Sequence, residues 1–153
     1  MATEPRDNDA LSSWAIPGRT ARFEGVPHDV TGARLETEEF LRALALAVPP
    51  AAPECWHDIV LIVTELASNA VQYAPGPFTL ELRPTFDGVH VTVADTSPVA
   101  PTPRPFHPDS GGGGIGWHLI HTLCSQVSVV RRDGGAGDGS GEGGKDIHVF
   151  LPW

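Results

Sequence analysis

DIVLIVTELASNAVQYA, residues 58–74, is the stretch on which the fold turns. At about 100° per residue, Ile59, Ile62, Val63, Leu66 and Ala70 share one apolar face, which predicts an amphipathic helix laid on a core. Asp58, Glu65, Asn69 and Gln72 gather in a narrow polar stripe beside that face. Glu65 and Asn69, one helical turn apart, point the same way. On this stretch alone, a surface helix with ordinary polar residues explains the pattern as well as a functional pair does. What separates the two readings lies further along the chain.

Working outward, Pro75-Gly76-Pro77 stops this helix, expected over about Glu54 to Ala74. Upstream, Pro49, Pro50 and Pro53 end an earlier helix of about Val30 to Ala47, with Asp29 as its N-cap. Val30, Leu35, Phe40, Leu41, Leu44 and Val48 are mostly spaced for one face of it. Thr20 to Phe23 suits a short strand closed by Gly25 and Pro27. Downstream, Phe78 to Thr85 alternates apolar and polar residues, Asp87-Gly88 is a hairpin signal, and Val89, Val91 and Val93 lead a second strand to Asp95. Ser97 to Gly114 is rich in proline and glycine without periodicity, as expected of a functional or disordered loop. A helical pattern resumes over Ile115 to Leu123, followed by a strand around Val127, Val129 and Val130. Asp133 to Gly144 reads as a flexible glycine-rich loop, and Ile147 to Leu151 as a final strand. The order β-α-α-β-β-α-β-β predicts an α+β fold, a two-layer α/β sandwich with helices on one face of a mixed or antiparallel sheet. Residues 1–18 are expected to be a flexible tail and 19–153 a single domain.

The bulk composition narrows the function classes. A chain of 153 residues can bury a core without disulfides, and its 41% hydrophobic content is ordinary. It has no apolar run long enough to span a bilayer and no secretory pattern at its start, so a cytoplasmic protein without a membrane partner is expected. Cys55 and Cys124 are expected to be buried free thiols. Ten basic against nineteen acidic residues, a net charge of -9, argue against direct nucleic-acid binding, which needs clustered cations. His118 and His121 lie three apart on the third helix, with no third metal ligand beside them, and read as surface residues. Trp56 and Trp117 are expected to pack on the core.

Three pieces carry chemistry. Glu65 can act as a general base toward a hydroxyl or water, and the Asn69 amide oxygen can complete an octahedral Mg²⁺ shell. Asp95, at a strand end, can accept from an exocyclic amine or simply terminate the strand in a turn. Gly111-Gly112-Gly113-Gly114-Ile115-Gly116 precedes a helix, so bare backbone and unpaired N–H groups are available to a phosphate; a flexible hinge is the alternative. The run lacks the Lys-Ser/Thr of a P-loop and the parallel βαβ setting of a dinucleotide fold.

In order and spacing, ELASNAVQYA resembles the N box, VADTSP the first glycine box and GGGGIGWHLIHTL the second glycine box of the GHKL ATPases. Within that superfamily the short chain and GGIGWHLIHTLCSQV are most similar to the bacterial anti-sigma-factor serine/threonine kinases. The resemblance spans about residues 20–152 and implies a Bergerat-type ATP-binding fold with ATP and Mg²⁺ as cofactors. It implies Glu65 as the general base, Asn69 as the Mg²⁺ ligand, Asp95 as the holder of the adenine amine, and Gly112, Gly114, Ile115 and Gly116 at the phosphate end. Ser97 to Ser110 would form the mobile lid, extending to Gly114, with Arg104 either reaching a phosphate or solvated. The implied partners are a STAS-type anti-anti-sigma protein as phosphoryl acceptor and a sigma factor as a sequestered target. Homodimerisation is common in that family, and the first helix or the sheet would supply its interface. Two positions depart from the pattern. Ser97 stands where the first glycine box has glycine, and Gly144-Lys145-Asp146 replaces the usual glycine and small hydroxyl residue near the last strand. Ser97 favours an alternative, a non-catalytic, nucleotide-dependent binding module. The catalytic half of a sensor histidine kinase is the poorest fit, since no helical hairpin with a phospho-accepting histidine is expected before residue 20.

Overall fold

The computed structural model describes residues 16–99, 115–132 and 143–153. Its elements are β1 (Arg19–Phe23), α1 (Asp29–Ala47), α2 (Pro53–Tyr73), β2 (Phe78–Pro84), β3 (Gly88–Asp95), α3 (Ile115–Leu123), β4 (Gln126–Arg132) and β5 (Gly144–Pro152). The sheet order is β1-β2-β3-β5-β4. Every neighbouring pair is antiparallel, so the antiparallel alternative holds and the mixed one does not. Among the described residues no helix is long and apolar enough to cross a membrane.

Each strand presents alternate residues to the helices. Leu80 pairs with Val93, Leu82 with Val91, Val91 with Val149 and Val93 with Ile147, so one face carries a continuous apolar surface. Ile59, Ile62, Val63, Leu66, Ala67 and Ala70 of α2, all buried, close over it together with Ala33, Phe40, Leu41 and Leu44 of α1 and Ile120 of α3. Fully burying a side chain of this size stabilises the fold by about 1.5–3 kcal/mol, so the apolar face of 58–74 anchors the helical layer. Trp56 and Trp117 pack at its margin as expected, and so does Ile16 from within the expected tail.

Four expectations change in detail. Asp29 does not cap α1: it begins the helix, and its Oδ2 accepts from the backbone N–H of Gly25 at 2.9 Å and Val26 at 3.0 Å, fastening the turn before it. Leu35 and Val48 are exposed, while Ala33 and Thr37 are buried. Residues 33, 37, 40, 41 and 44 follow the helical period, Leu35 falls about 160° from Ala33 and Thr37, and Val48 lies past the last turn. Cys55 and Cys124 are free but only half-buried. Finally, β5 begins at Gly144 rather than Ile147, because both its neighbours offer partners there: Asp95 of β3 opposite Lys145 and Arg132 of β4 opposite Gly144.

That extension sets the character of one end of the sheet. On β3 the buried positions run Val89, Val91, Val93, Asp95, and on β5 they run Lys145, Ile147, Val149, Leu151. The apolar stripe beneath the helices therefore ends in two opposite charges, paired directly across the ladder.

Candidate functional site

Both ends of the site hang on α2. Pro53 opens the helix at a position where a missing N–H costs nothing, and the backbone leaves it at Ala74. The following turn is fastened to the end of β3: Gly76 adopts φ +119°, a conformation that favours glycine, and the Thr96 hydroxyl donates to the Pro75 carbonyl at 3.0 Å. This seam holds the C-terminal half of α2 alongside the Asp95 end of the sheet.

Glu65 and Asn69 are half-buried on that half of the helix. The first turn of α3 lies against Glu65 so closely that a Cβ at Gly116 would collide with Glu65 Oε2. Gly116 is thus the residue that lets the carboxylate sit beside the helix start. Burial pushes the Glu65 carboxyl above the usual carboxylate range, which strengthens it as a proton acceptor when ionised. A half-buried carboxylate at a helix N-terminus, one turn from a carboxamide, can take a proton from a hydroxyl and offer an amide oxygen to a cation.

The other end is built differently. Lys145 Nζ donates to Asp95 Oδ1 at 3.0 Å and lies 2.9 Å from Oδ2, and it donates to the Ser97 carbonyl at 3.1 Å. Asp95 Oδ1 also accepts from the Ser97 N–H at 2.9 Å, so Ser97 continues an Asx turn without a positive φ. The side chains of Asp95 and Lys145 are 3% and 6% exposed. Around them, Arg132 binds the Asp95 and Lys145 carbonyls and the Asp146 carboxylate. A Cβ on Gly144 would strike the Asp95 carbonyl and the Arg132 guanidinium, so this corner closes only over a glycine. Arg131 Nε holds the Pro98 carbonyl at 3.0 Å, tethering the first residues after Asp95 to β4.

The structure therefore brings Glu65 and Gly116 into contact and places Asn69 one turn further along α2, with Asp95 at the adjoining end of β3. Ile115 opens α3. Gly112, Gly114 and Arg104, with most of the expected lid over 97–114 and most of the glycine-rich loop, lie outside the described residues. Lys145 and Arg132 were not foreseen as members of the site. For Lys145 a signal was present: it shares the parity of Ile147, Val149 and Leu151, which puts it on the inner face opposite Asp95. Among the described residues no cluster of three or more metal-binding side chains occurs.

The two ends differ in how they suit Mg-ATP. Glu65, Asn69 and the start of α3 carry a proton acceptor, an amide oxygen and a helix N-terminus, whereas the Asp95 carboxylate is already engaged by Lys145 and the Ser97 N–H. A family model for the histidine kinase-like ATPase domain matches residues 23–137. Among curated proteins, none matches the chain.

Proposed function

The chain belongs to the histidine kinase-like ATPase domain family, and on that premise we propose that it is a serine/threonine kinase of the anti-sigma-factor type. Its substrate would be a STAS-type anti-anti-sigma protein, with a sigma factor as a second, sequestered partner. The observation that supports a transferase is the setting of Glu65, half-buried against Gly116 with its carboxyl pushed toward protonation by burial.

In that role Glu65 accepts the proton of the partner's hydroxyl as its oxygen bonds to phosphorus. Bound Mg-ATP supplies the γ-phosphoryl group and leaves as ADP. Asn69 would hold the cation through its amide oxygen, and the N-terminus of α3 would offer backbone N–H groups to the phosphates. Phosphoryl transfer asks mainly for positioning and charge stabilisation, and these residues are of the kind that supply both.

The test is incubation with γ-labelled Mg-ATP and a purified STAS-type protein. Label on a partner serine or threonine is expected, abolished in Glu65→Gln with nucleotide binding intact. Transfer that survives Glu65→Gln takes the base role away from Glu65. A second reading, a non-catalytic module that captures a sigma factor, is favoured by the Asp95–Lys145 ion pair, which occupies the carboxylate an adenine would need. A stable complex with no label on any partner would establish it.

A further inference from the structure

Lys145 is the only lysine of the chain, and it is buried. Lysine is almost never buried without a partner, because an ammonium loses its hydration there. Here the ammonium donates to Asp95 Oδ1 and to the Ser97 carbonyl, and it lies 2.9 Å from Asp95 Oδ2 as an ion pair. The carboxylate is nearly saturated in turn. Oδ1 accepts from both Lys145 and the Ser97 N–H, and Oδ2 lies against the same ammonium. The rest of the carboxylate is sealed from solvent, since the Asp95 side chain is 3% exposed.

We infer that Lys145 is the residue that sets nucleotide selectivity, acting as an internal competitor for the carboxylate on which an adenine amine would dock. The inference rests on the ATP-binding reading of the site. An exocyclic amine and the lysine ammonium are both N–H donors, and because the carboxylate is sealed from solvent the amine reaches it only in the lysine's place. Adenine recognition therefore requires the Lys145 side chain to leave the carboxylate and carry its charge out to water. Base-free polyphosphate makes no such demand, because its contacts lie at the Glu65 end. Adenine nucleotides are consequently bound less tightly than an Asp95 without its lysine would allow, and docking of the base exposes an amine that is protected in the free protein.

The experiment uses the full chain in two measurements. In the first, wild type and Lys145→Thr are titrated calorimetrically with Mg-ATP and with magnesium tripolyphosphate. Lys145→Thr should bind Mg-ATP at least tenfold more tightly, with tripolyphosphate affinity unchanged within twofold. In the second, which needs no variant, the wild type is pulsed with an amine-acetylating reagent and acetyl-Lys145 is quantified by mass spectrometry. Saturating Mg-ATP should raise its labelling rate at least tenfold, whereas tripolyphosphate should leave it unchanged. If the wild type binds Mg-ATP while Lys145 stays protected, or if Lys145→Thr folds and binds it no better, the competitor role is refuted and the ATP reading survives. If neither protein binds Mg-ATP, both are overturned.

Discussion

Asp95 and Lys145 form a charge pair inside the fold, and its contribution can be measured by removing one charge at a time. Lys145→Met keeps the length of the stem and, among the described residues, leaves Asp95 with only the Ser97 N–H as a donor to its side chain. Asp95→Asn keeps the shape and one acceptor oxygen but leaves the ammonium without its counter-charge. At side-chain exposures of 3% and 6%, water cannot replace the lost partner in either case. Hydrogen bonds to charged groups contribute about 1.5–3 kcal/mol each, and Lys145 makes two, to Asp95 Oδ1 and to the Ser97 carbonyl. Breaking a buried pair from one side typically costs about 3–5 kcal/mol, in line with that sum. Each single variant should therefore lose about 3–5 kcal/mol in urea unfolding at neutral pH with m unchanged. In a chain of this length a loss of 3 kcal/mol lowers Tm by about 6–12 °C. The double variant leaves neither charge of this pair buried alone, so its loss should fall short of the summed singles by at least about 2 kcal/mol. Single losses below about 1 kcal/mol, adding without coupling, are the behaviour of a solvated surface pair. That result would refute the reasoning for this corner of the sheet.

Three further outcomes are expected. Gly116→Ala places a methyl where Glu65 Oε2 now lies; the carboxylate is the end of a flexible side chain and can swing away. Stability should change by less than about 1 kcal/mol while phosphotransfer to a partner falls at least tenfold, and retained transfer would count against the Glu65–Gly116 contact as a working part. Glu65→Gln tests the raised carboxyl pKa: between the unfolded and the higher folded value the native state binds more protons, so stability falls as pH rises through that window. The variant should gain over wild type at pH 7, by under about 1 kcal/mol because the group is partly solvated, and the gain should vanish below the unfolded pKa; a gain independent of pH would point elsewhere. The Cys124 thiol, pushed up to about 12 by burial and by the nearby Asp58 carboxylate, should resist alkylation at pH 8 until urea is added. Labelling of Cys124 at the rate of a free thiol in the folded protein would show that account to be mistaken.

Local pattern explains which parts of this protein could be read from its residues. The helix over 58–74 is legible because its apolar period is long and its boundaries are prolines. Asp95 is legible as a strand end because three alternating valines lead up to it. The start of β5 is not, since Gly143-Gly144 has poor strand propensity and follows a glycine-rich run. Only the two neighbouring strands, by offering Asp95 and Arg132 as partners, carry the ladder back to Gly144. The Glu65–Gly116 contact is likewise invisible locally, since it joins elements about fifty residues apart and depends on a missing Cβ.

Those two tertiary facts bear on function in opposite directions. Gly116 admits a carboxylate to the start of a helix, where a proton acceptor beside a helix N-terminus of the kind that can hold a phosphate favours a transferase. Lys145 withdraws from solvent the carboxylate that an adenine would use, which favours a protein that engages nucleotide reluctantly or by exchange. The two are compatible when the lysine is a competitor that nucleotide displaces, because the ammonium then passes from a buried partner to water rather than to nothing. In that case the cost of opening the base end is drawn from the binding energy of the whole nucleotide. Weak binding of ATP would then accompany an intact Glu65 end, so affinity alone cannot separate kinase from binding module. Transfer of label to a partner, measured at saturating Mg-ATP, is the observation that distinguishes them.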